Sequence, residues 1–586
     1  MPRSIRPSAA ALTTRASTLP RSPNSVDTRC APASSPKARA TVPMDPPSPA
    51  KPATPASTPL KCIAANTHRW SATLSPTSVC DVRKVISAHT RQFLDATPRQ
   101  SRPLIVQNET VTSTPAGSAA QFTLRGRQSD VVYYSSSRDL VVLGTAGTGK
   151  TTMAVLRAAY LGHPLTSNHG PVLLVTFNNA LVKYLRHLVP QNLGEVTVET
   201  YALFARGYVN SIGKMPSGWG KIHEKNARKK VVTAAVLYAA KNYPIQSTFF
   251  DRDTGFFVDE IDWIADIGIQ TEAAYLSVDR IGRKTALGPR HRTVMWKIRE
   301  KYLELRTGLG IPYDWHDLAT AARIGFQTDF RTRKYRHVVI DEGQDLSSEA
   351  LRSLVAAVQP GGTVSFFGDY HQQIYGQGLS WRACGLKVTT VDKFYDNLRN
   401  TAEISRVAIS MSQLPHLTTT TTEDLIEPVE PAANGSQPIL LKCKDPNTEL
   451  AAIQEVAANQ AAVGTVGIFA RTWSEADKAV HGLANVRRLN EEAKADWDPT
   501  PGIYYGTYHA AKGLEFDVVI LPFIDTHNLP NAEAVAAYGI SDAATRDGKL
   551  LYVAVTRARA ELLATYTTSP STLLPRTPGL WNELVR

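Results

Sequence analysis

Nine consecutive residues constrain this chain more than any other stretch of it: Gly144, Thr145, Ala146, Gly147, Thr148, Gly149, Lys150, Thr151 and Thr152, directly after the apolar run 140–143. Gly-x4-Gly-Lys-Thr between a short hydrophobic strand and the apolar-periodic stretch 153–161 reads as a phosphate-binding loop. Its glycines let successive backbone N–H groups turn inward around a triphosphate, and the following helix adds the partial positive charge of its N-terminus. Lys150 then reaches the β- and γ-phosphates, and the Thr151 hydroxyl holds Mg²⁺. The loop implies a bound nucleoside triphosphate within a parallel α/β sheet.

The remaining composition mostly excludes. A length of 586 residues fits three or four domains, and no apolar run approaches the roughly 20 residues of a membrane span, so no membrane partner is expected. The five cysteines (Cys30, Cys62, Cys80, Cys384, Cys443) form no Cys-x-x-Cys pair, which argues against a disulfide framework, a zinc site or an iron–sulfur cluster and fits a reducing, cytoplasmic setting. The net charge of +13 resides mainly in residues 1–110, which hold fifteen Lys/Arg against five Asp/Glu. It therefore says little about the folded part.

Residues 1–115 read as a low-complexity, mostly disordered basic tail, with thirteen prolines in the first 60 positions. With no acidic residue before Asp27, this tail resembles an organellar transit peptide. A solvated tail, or an overlong start with Met44 as one downstream initiator, are the plainer readings. From position 122 strands and helices alternate. The pattern predicts a first α/β domain over 116–205 and 321–395, interrupted by a helix-rich insertion at 206–320. A second α/β domain over 396–586 follows, with a polar, Thr-rich linker at about 411–438 and strands near 439–442, 466–470, 518–521 and 562–565. The fold class is α/β, with two similar halves.

The strand 337–340 ends in Asp341 and Glu342, followed by Gly343, Gln344 and Asp345. A hydrophobic strand ending in Asp-Glu is the partner that a phosphate loop needs: Asp341 for Mg²⁺ and Glu342 to polarise the attacking water.

Together these motifs resemble a superfamily 1A helicase of the UvrD/Rep/PcrA type over about residues 120–566. Leu124 and Gln128, sixteen residues before Gly144, resemble the family's Q motif. Thr176, Phe177, Asn178, Asn179 and Ala180 resemble motif Ia, and Thr200, Tyr201 and Phe204 the DNA-contact motif after it. Residues 341–345 are similar to motif II; Gly368, Asp369, Gln372, Ile374 and Tyr375 to motif III; and 397–400 to motif IV. Thr507, His509, Lys512, Gly513, Leu514, Glu515 and Phe516 are similar to motif V, and 551–559 to motif VI.

The resemblance implies two RecA-like domains with a helical 1B insertion, ATP and Mg²⁺ as ligands, and ATP-driven 3′→5′ movement along single-stranded DNA or unwinding of partly duplex DNA. It further implies that Gln128 reads the adenine edge, that Glu515 belongs to the nucleotide site, that Gln372 senses the γ-phosphate, and that Arg399 and Arg557 act as arginine fingers. Stacking platforms along the strand are then sought among Tyr201, Phe204, Tyr375, Trp381, Tyr505 and Tyr508, with Thr176, Asn178, Thr200, Thr507 and His509 for polar contacts. A basic run in the insertion (Arg280, Arg283, Lys284, Arg290, His291, Arg292) is a further candidate, although a solvated face is the plainer reading.

Three departures from the family pattern matter. Thr152 and Leu398 stand where the family often has the Arg and Tyr that sandwich adenine, so a weaker preference for ATP is expected. Gln377 replaces a common stacking Trp, for which Trp381 is the substitute. Arg399 and Lys512 are 113 positions apart, which leaves little room for subdomain 2B. A monomer or loose oligomer is expected, and the competing reading is a nucleic-acid- or nucleotide-gated ATPase subunit working with a partner nuclease in phage defence or repair.

Overall fold

The computed structural model describes residues 124–586, except 177, 189–194, 216–221, 223–224, 281–282, 284, 330–332, 370–380, 389–390, 418–428 and 490–499. The basic tail and the threonine run of the linker therefore lie outside the described residues.

The first sheet contains β1 (Leu140–Gly144), β2 (Val172–Thr176), β3 (Val196–Thr200), β4 (Tyr335–Ile340), β5 (Val358–Gly368) and β6 (Val391–Phe394), ordered β3-β2-β4-β5-β1-β6. Each pairing is parallel. β1 and β2 read as unbroken apolar runs because both of their faces are covered, and every residue of each is buried. Parallelism sends the C-terminal ends of β1, β4 and β5 to one edge, where ligands of open α/β sheets bind. The phosphate loop, Asp341 and Asp369 thus arrive together.

The second sheet contains β7 (Ile439–Lys442), β8 (Thr465–Ala470), β9 (Val486–Arg488), β10 (Gly502–Thr507), β11 (Phe516–Leu521), β12 (Ala558–Tyr566) and β13 (Asn582–Val585), ordered β13-β7-β12-β11-β8-β10-β9 and again parallel. Four of these strands are legible as apolar runs. β10 is broken by Gly502 and Gly506, and β13 is an exposed edge strand, so neither carries that signal.

The helical insertion is smaller than its sequence suggests. Helices Lys225–Asn242, Thr254–Ile267, Glu272–Ser277 and Pro289–Gly308 share a separate core built on Phe256, Phe257, Trp263, Tyr275, Trp296 and Tyr302. The flanking helices Tyr201–Ser211 and Asp317–Thr328 instead belong to the core of the first sheet, where Phe204 stacks on Phe326. No described helix is long and apolar enough to cross a membrane.

Part of the basic run in the insertion is spent internally, while Arg290 is exposed. Arg280 and Arg283 both bind the buried Glu260, and Arg292 donates to the carbonyls of Tyr275, Leu276 and Val278. Burial pushes the Glu260 pKa up, but the two guanidiniums more than offset this and hold it low. His291 stacks on Phe249 with ring centroids 5.0 Å apart. These side chains assemble the insertion and do not track a nucleic-acid backbone; Lys284 lies outside the described residues.

Where the insertion meets the first domain, Asp314 accepts from the Tyr302 hydroxyl at 3.0 Å and from Arg306 at 3.1 Å, with Arg228 at 3.4 Å. Beside it His316 lies 2.8 Å from Asp266 and 3.6 Å from Asp262. Burial alone would lower the His316 pKa; Asp262, Asp266 and Asp314 reverse this and raise it to about 10. About a third of the side chain remains exposed, so water screens part of the effect. A raised folded-state pKa stabilises fully below the ordinary histidine value near 6.5 and is lost as pH climbs towards 10. The thermal midpoint of the wild type should therefore fall more steeply between those pH values than that of His316→Gln; parallel slopes would show that the cluster carries no such linkage.

Candidate nucleotide site and interdomain cleft

The phosphate loop takes its shape from Gly147 at φ 81° and Gly149 at φ 80°, a backbone region that residues with a side chain rarely enter. A Cβ on Gly147 would also collide with Asn397, which reaches over from the start of the second domain. Lys150 begins the helix Lys150–Gly162, and its Nζ donates to the Gly144 and Thr145 carbonyls at 2.9 and 2.7 Å, with Asp369 Oδ2 3.6 Å away. Burial lowers its pKa, partly countered by Asp369 and Glu342. The ammonium rests on the carbonyls of its own loop.

Across the edge, Asp341 is buried, and neither carboxylate oxygen makes a hydrogen bond of good geometry. Desolvation and the neighbouring Glu342 charge raise its pKa, opposed by the nearby Thr151 hydroxyl. Burial likewise works against ionised Glu342, yet Lys512, Lys150 and Arg557 outweigh it and hold that carboxyl low. The Thr145 hydroxyl is also buried without a partner. An underserved carboxylate beside a threonine, at the mouth of a glycine cradle lined by a lysine, fits a hydrated Mg²⁺ and a triphosphate. Thr151 and Asp341 are the residues that would hold the ion.

Gln128 opens the helix Gln128–Val132 and is tied to the loop rather than free: its Nε2 donates to Thr148 O at 3.0 Å, and its Oε1 accepts from Arg125 N at 2.8 Å. Thr152 is half-buried in the first turn behind Lys150, Ala146 is buried, and the Thr148 hydroxyl donates to Thr145 O at 3.0 Å.

The second domain closes over this edge. Leu398 N donates to Gly147 O at 2.9 Å, while the Leu398 side chain is 45% exposed. Arg399 pairs with Glu515 at 2.5 Å, and its Nε has no partner. Arg557 is buried, donating to Val553 O at 3.0 Å and Leu514 O at 3.3 Å; desolvation first and the Arg399 charge second lower its pKa to about 10, and it stays cationic near neutrality. Lys512 reaches Asp345 at 2.6 Å and Glu342 at 3.7 Å, a cross-domain contact that the sequence reading left without a role. Its place in the Lys-Gly-Leu-Glu-Phe string was the available signal.

Residues 124–393 match the UvrD/REP helicase N-terminal domain, and residues 472–569 match the UvrD-like helicase C-terminal domain. The chain belongs to the UvrD/Rep-type superfamily 1A helicase family. Two relatives named ATP-dependent DNA helicase UvrD2, from Mycobacterium bovis and Mycobacterium tuberculosis, are 38% identical over 98 residues, covering 17% of this chain and only 13% of their own length. A solved C-terminal domain of a possible DNA helicase from Lactobacillus plantarum aligns with 32% of this chain and 97% of its own, at 20% identity and a TM-score of 0.23, too slight a likeness to carry weight.

Several positions that the UvrD/Rep resemblance offered for strand contact are occupied otherwise. Tyr201 is buried, its hydroxyl 2.7 Å from Ser353, and Phe204 and Trp381 are buried in the same core. Tyr508 lies in the core of the second domain, and Tyr505 packs against that domain's other face. The rings of Tyr201, Phe204, Trp381 and Tyr508 are spent on packing, the plainer of the two readings for each of them, while Tyr505 is half-buried. Asn178 donates to the carbonyls of Ala510 and Lys512 at 3.1 and 3.0 Å and so grips the second domain rather than a phosphate. Thr200 caps the helix Tyr201–Ser211, Thr507 accepts from Ala510 N, and the His509 carbonyl lies 3.4 Å from Asn178 Nδ2. The Thr176 hydroxyl, at the end of β2, has no hydrogen-bond partner. Gln372, Tyr375 and Gln377 lie outside the described residues. If Phe204 is a core residue, Phe204→Ala should cost about 3–5 kcal/mol of stability by denaturant titration while leaving strand affinity per folded molecule unchanged.

Proposed function

We propose that this protein is an ATP-dependent DNA helicase or single-stranded DNA translocase moving 3′→5′. The observation that supports this most is the convergence of Lys150, Asp341 and Glu342 from the first domain with Arg399, Lys512 and Arg557 from the second around one loop. Thr151 and Asp341 would hold Mg²⁺, which when bound would supply positive charge against the phosphates. Glu342, held anionic by three cations, orients and polarises the attacking water. Lys150 exchanges its two backbone carbonyls for phosphate oxygens. Arg399 leaves Glu515 for the charge that develops on the γ-phosphoryl group, while Arg557 supplies a fixed positive field. Because these groups sit on two domains, nucleotide state biases the cleft between open and closed, and that differential interaction is what a stepping motor needs.

For the strand, Trp315 is the aromatic that the sequence reading passed over. It is 42% exposed, lies in the turn held by the Asp314 cluster, and has the Arg206 guanidinium 5.9 Å from its ring centroid. Arg206 belongs to the helix that starts from the end of β3, on the same edge as the nucleotide site. An exposed ring on a fixed turn beside a cation suits base stacking.

Steady-state hydrolysis with and without single-stranded DNA tests the reading. Stimulation by DNA, abolished in Lys150→Ala, is expected, and a panel of ATP, GTP and CTP should show weak discrimination because Thr152 and Leu398 offer no sandwich for the base. Hydrolysis indifferent to DNA would instead support a nucleotide-gated subunit that acts through a nuclease partner. Trp315→Ala should weaken strand affinity by about tenfold or more with basal hydrolysis kept; unchanged affinity would remove Trp315 from the track.

A further inference from the structure

We propose that Gln344 is a positioning residue for hydrolysis, its side-chain amide linking the Glu342 carboxylate to the Asp369 backbone just after β5. This rests on the reading of Glu342 as the water-polarising group. Gln344 is fully buried. Its Nε2 donates to Glu342 Oε2 at 2.6 Å, and its Oε1 accepts from the Asp369 backbone N–H at 3.0 Å. A backbone N–H can only donate, so the amide has one orientation, which leaves its NH₂ group facing the carboxylate.

Two further features give the link its force. Glu342 sits at φ 55°, a conformation that persists only where surrounding contacts hold it. Gly343 and Gly368 close on opposite sides of one ring: a Cβ on Gly343 would collide with Phe366, and one on Gly368 would come within 2.8 Å of it. The two loops therefore approach each other without side chains of their own at those points, and the Gln344 amide spans them.

Asp369 completes a chain of contacts. It gives its backbone N–H to Gln344 and its carboxylate lies 3.6 Å from Lys150 Nζ. When Lys150 turns to a triphosphate, its attraction to Asp369 weakens. The resulting shift of Asp369 reaches Glu342 through the amide, bringing the carboxylate into register with bound nucleotide. Gln344 need not touch the substrate to do this.

Two variants test the link in the full chain. Gln344→Met keeps length and volume but removes both hydrogen bonds. Gln344→Glu keeps the acceptor for Asp369 and turns a second carboxylate on Glu342. Hydrolysis of ATP with saturating single-stranded DNA would be measured beside the affinity for a fluorescent ADP analogue and the thermal midpoint. Both variants should lose about tenfold or more in kcat, with KM and ADP affinity within about twofold of wild type and the midpoint lowered only slightly. The inference is overturned if kcat is retained in either variant, if KM rises while kcat holds, or if kcat, ADP affinity and midpoint collapse together. A wild type that hydrolyses no ATP at all would sink the function proposed above and this inference with it, whereas an active wild type with unaffected variants would sink this inference alone.

Discussion

The contact between Lys512 and the acidic turn after β4 is the interaction on which the arrangement of the whole molecule turns. Its ammonium crosses from the second α/β domain to lie 2.6 Å from Asp345 and 3.7 Å from Glu342, with almost no exposure to solvent. A buried charge of this kind is costly unless paired, so the two domains are bound to meet where those carboxylates are. Asn178 fastens the same loop from the other side through the carbonyls of Ala510 and Lys512, and Leu181 fills the space that a side chain at Gly513 would need. Loss of any one partner would strand a buried polar group, which makes this seam sensitive to what binds beside it.

The edge formed by the C-terminal ends of β1, β4 and β5 is where that sensitivity becomes useful. Cations and carboxylates are close to balanced there: Lys150 with Asp369, Arg399 with Glu515, Lys512 with Asp345. A triphosphate with its metal ion brings excess negative charge and competes for each of these cations. On the function proposed above, the exchange of partners, rather than any single contact, would couple the chemistry to the position of the second domain. Lys150 resting on the Gly144 and Thr145 carbonyls and Arg399 held by Glu515 are the same arrangement seen from the two domains.

Burial decided what could be read in advance. The phosphate loop, Asp341, Glu342 and the order of the motifs were legible because glycines at positive φ and a lysine at the head of a helix are dictated by local backbone geometry. The aromatic positions were not. Tyr201 and Phe204 belong to a stretch that resembles a DNA-contact motif of the family, yet the Tyr201 hydroxyl meets Ser353 and the Phe204 ring stacks on Phe326. Trp315, without a motif to flag it in the sequence reading, keeps its ring in solvent because the Asp314 cluster holds the turn that bears it. The basic run at 280–292 reads chiefly as a solvated face, whereas Arg280 and Arg283 pair internally with the buried Glu260.

The sequence by itself determined the two α/β halves, the nucleotide loop and the family, because each depends on residues close together in the chain. Tertiary structure alone decided the partnerships across the cleft: Lys512 with Asp345, Asn178 with the loop at 509–512, and Arg546 with Asp259 of the insertion. Those pairs are separated by well over a hundred residues and become neighbours only when the two domains and the insertion pack together. A side chain's charge and size are written in the chain, but which other group takes it out of water is settled by packing.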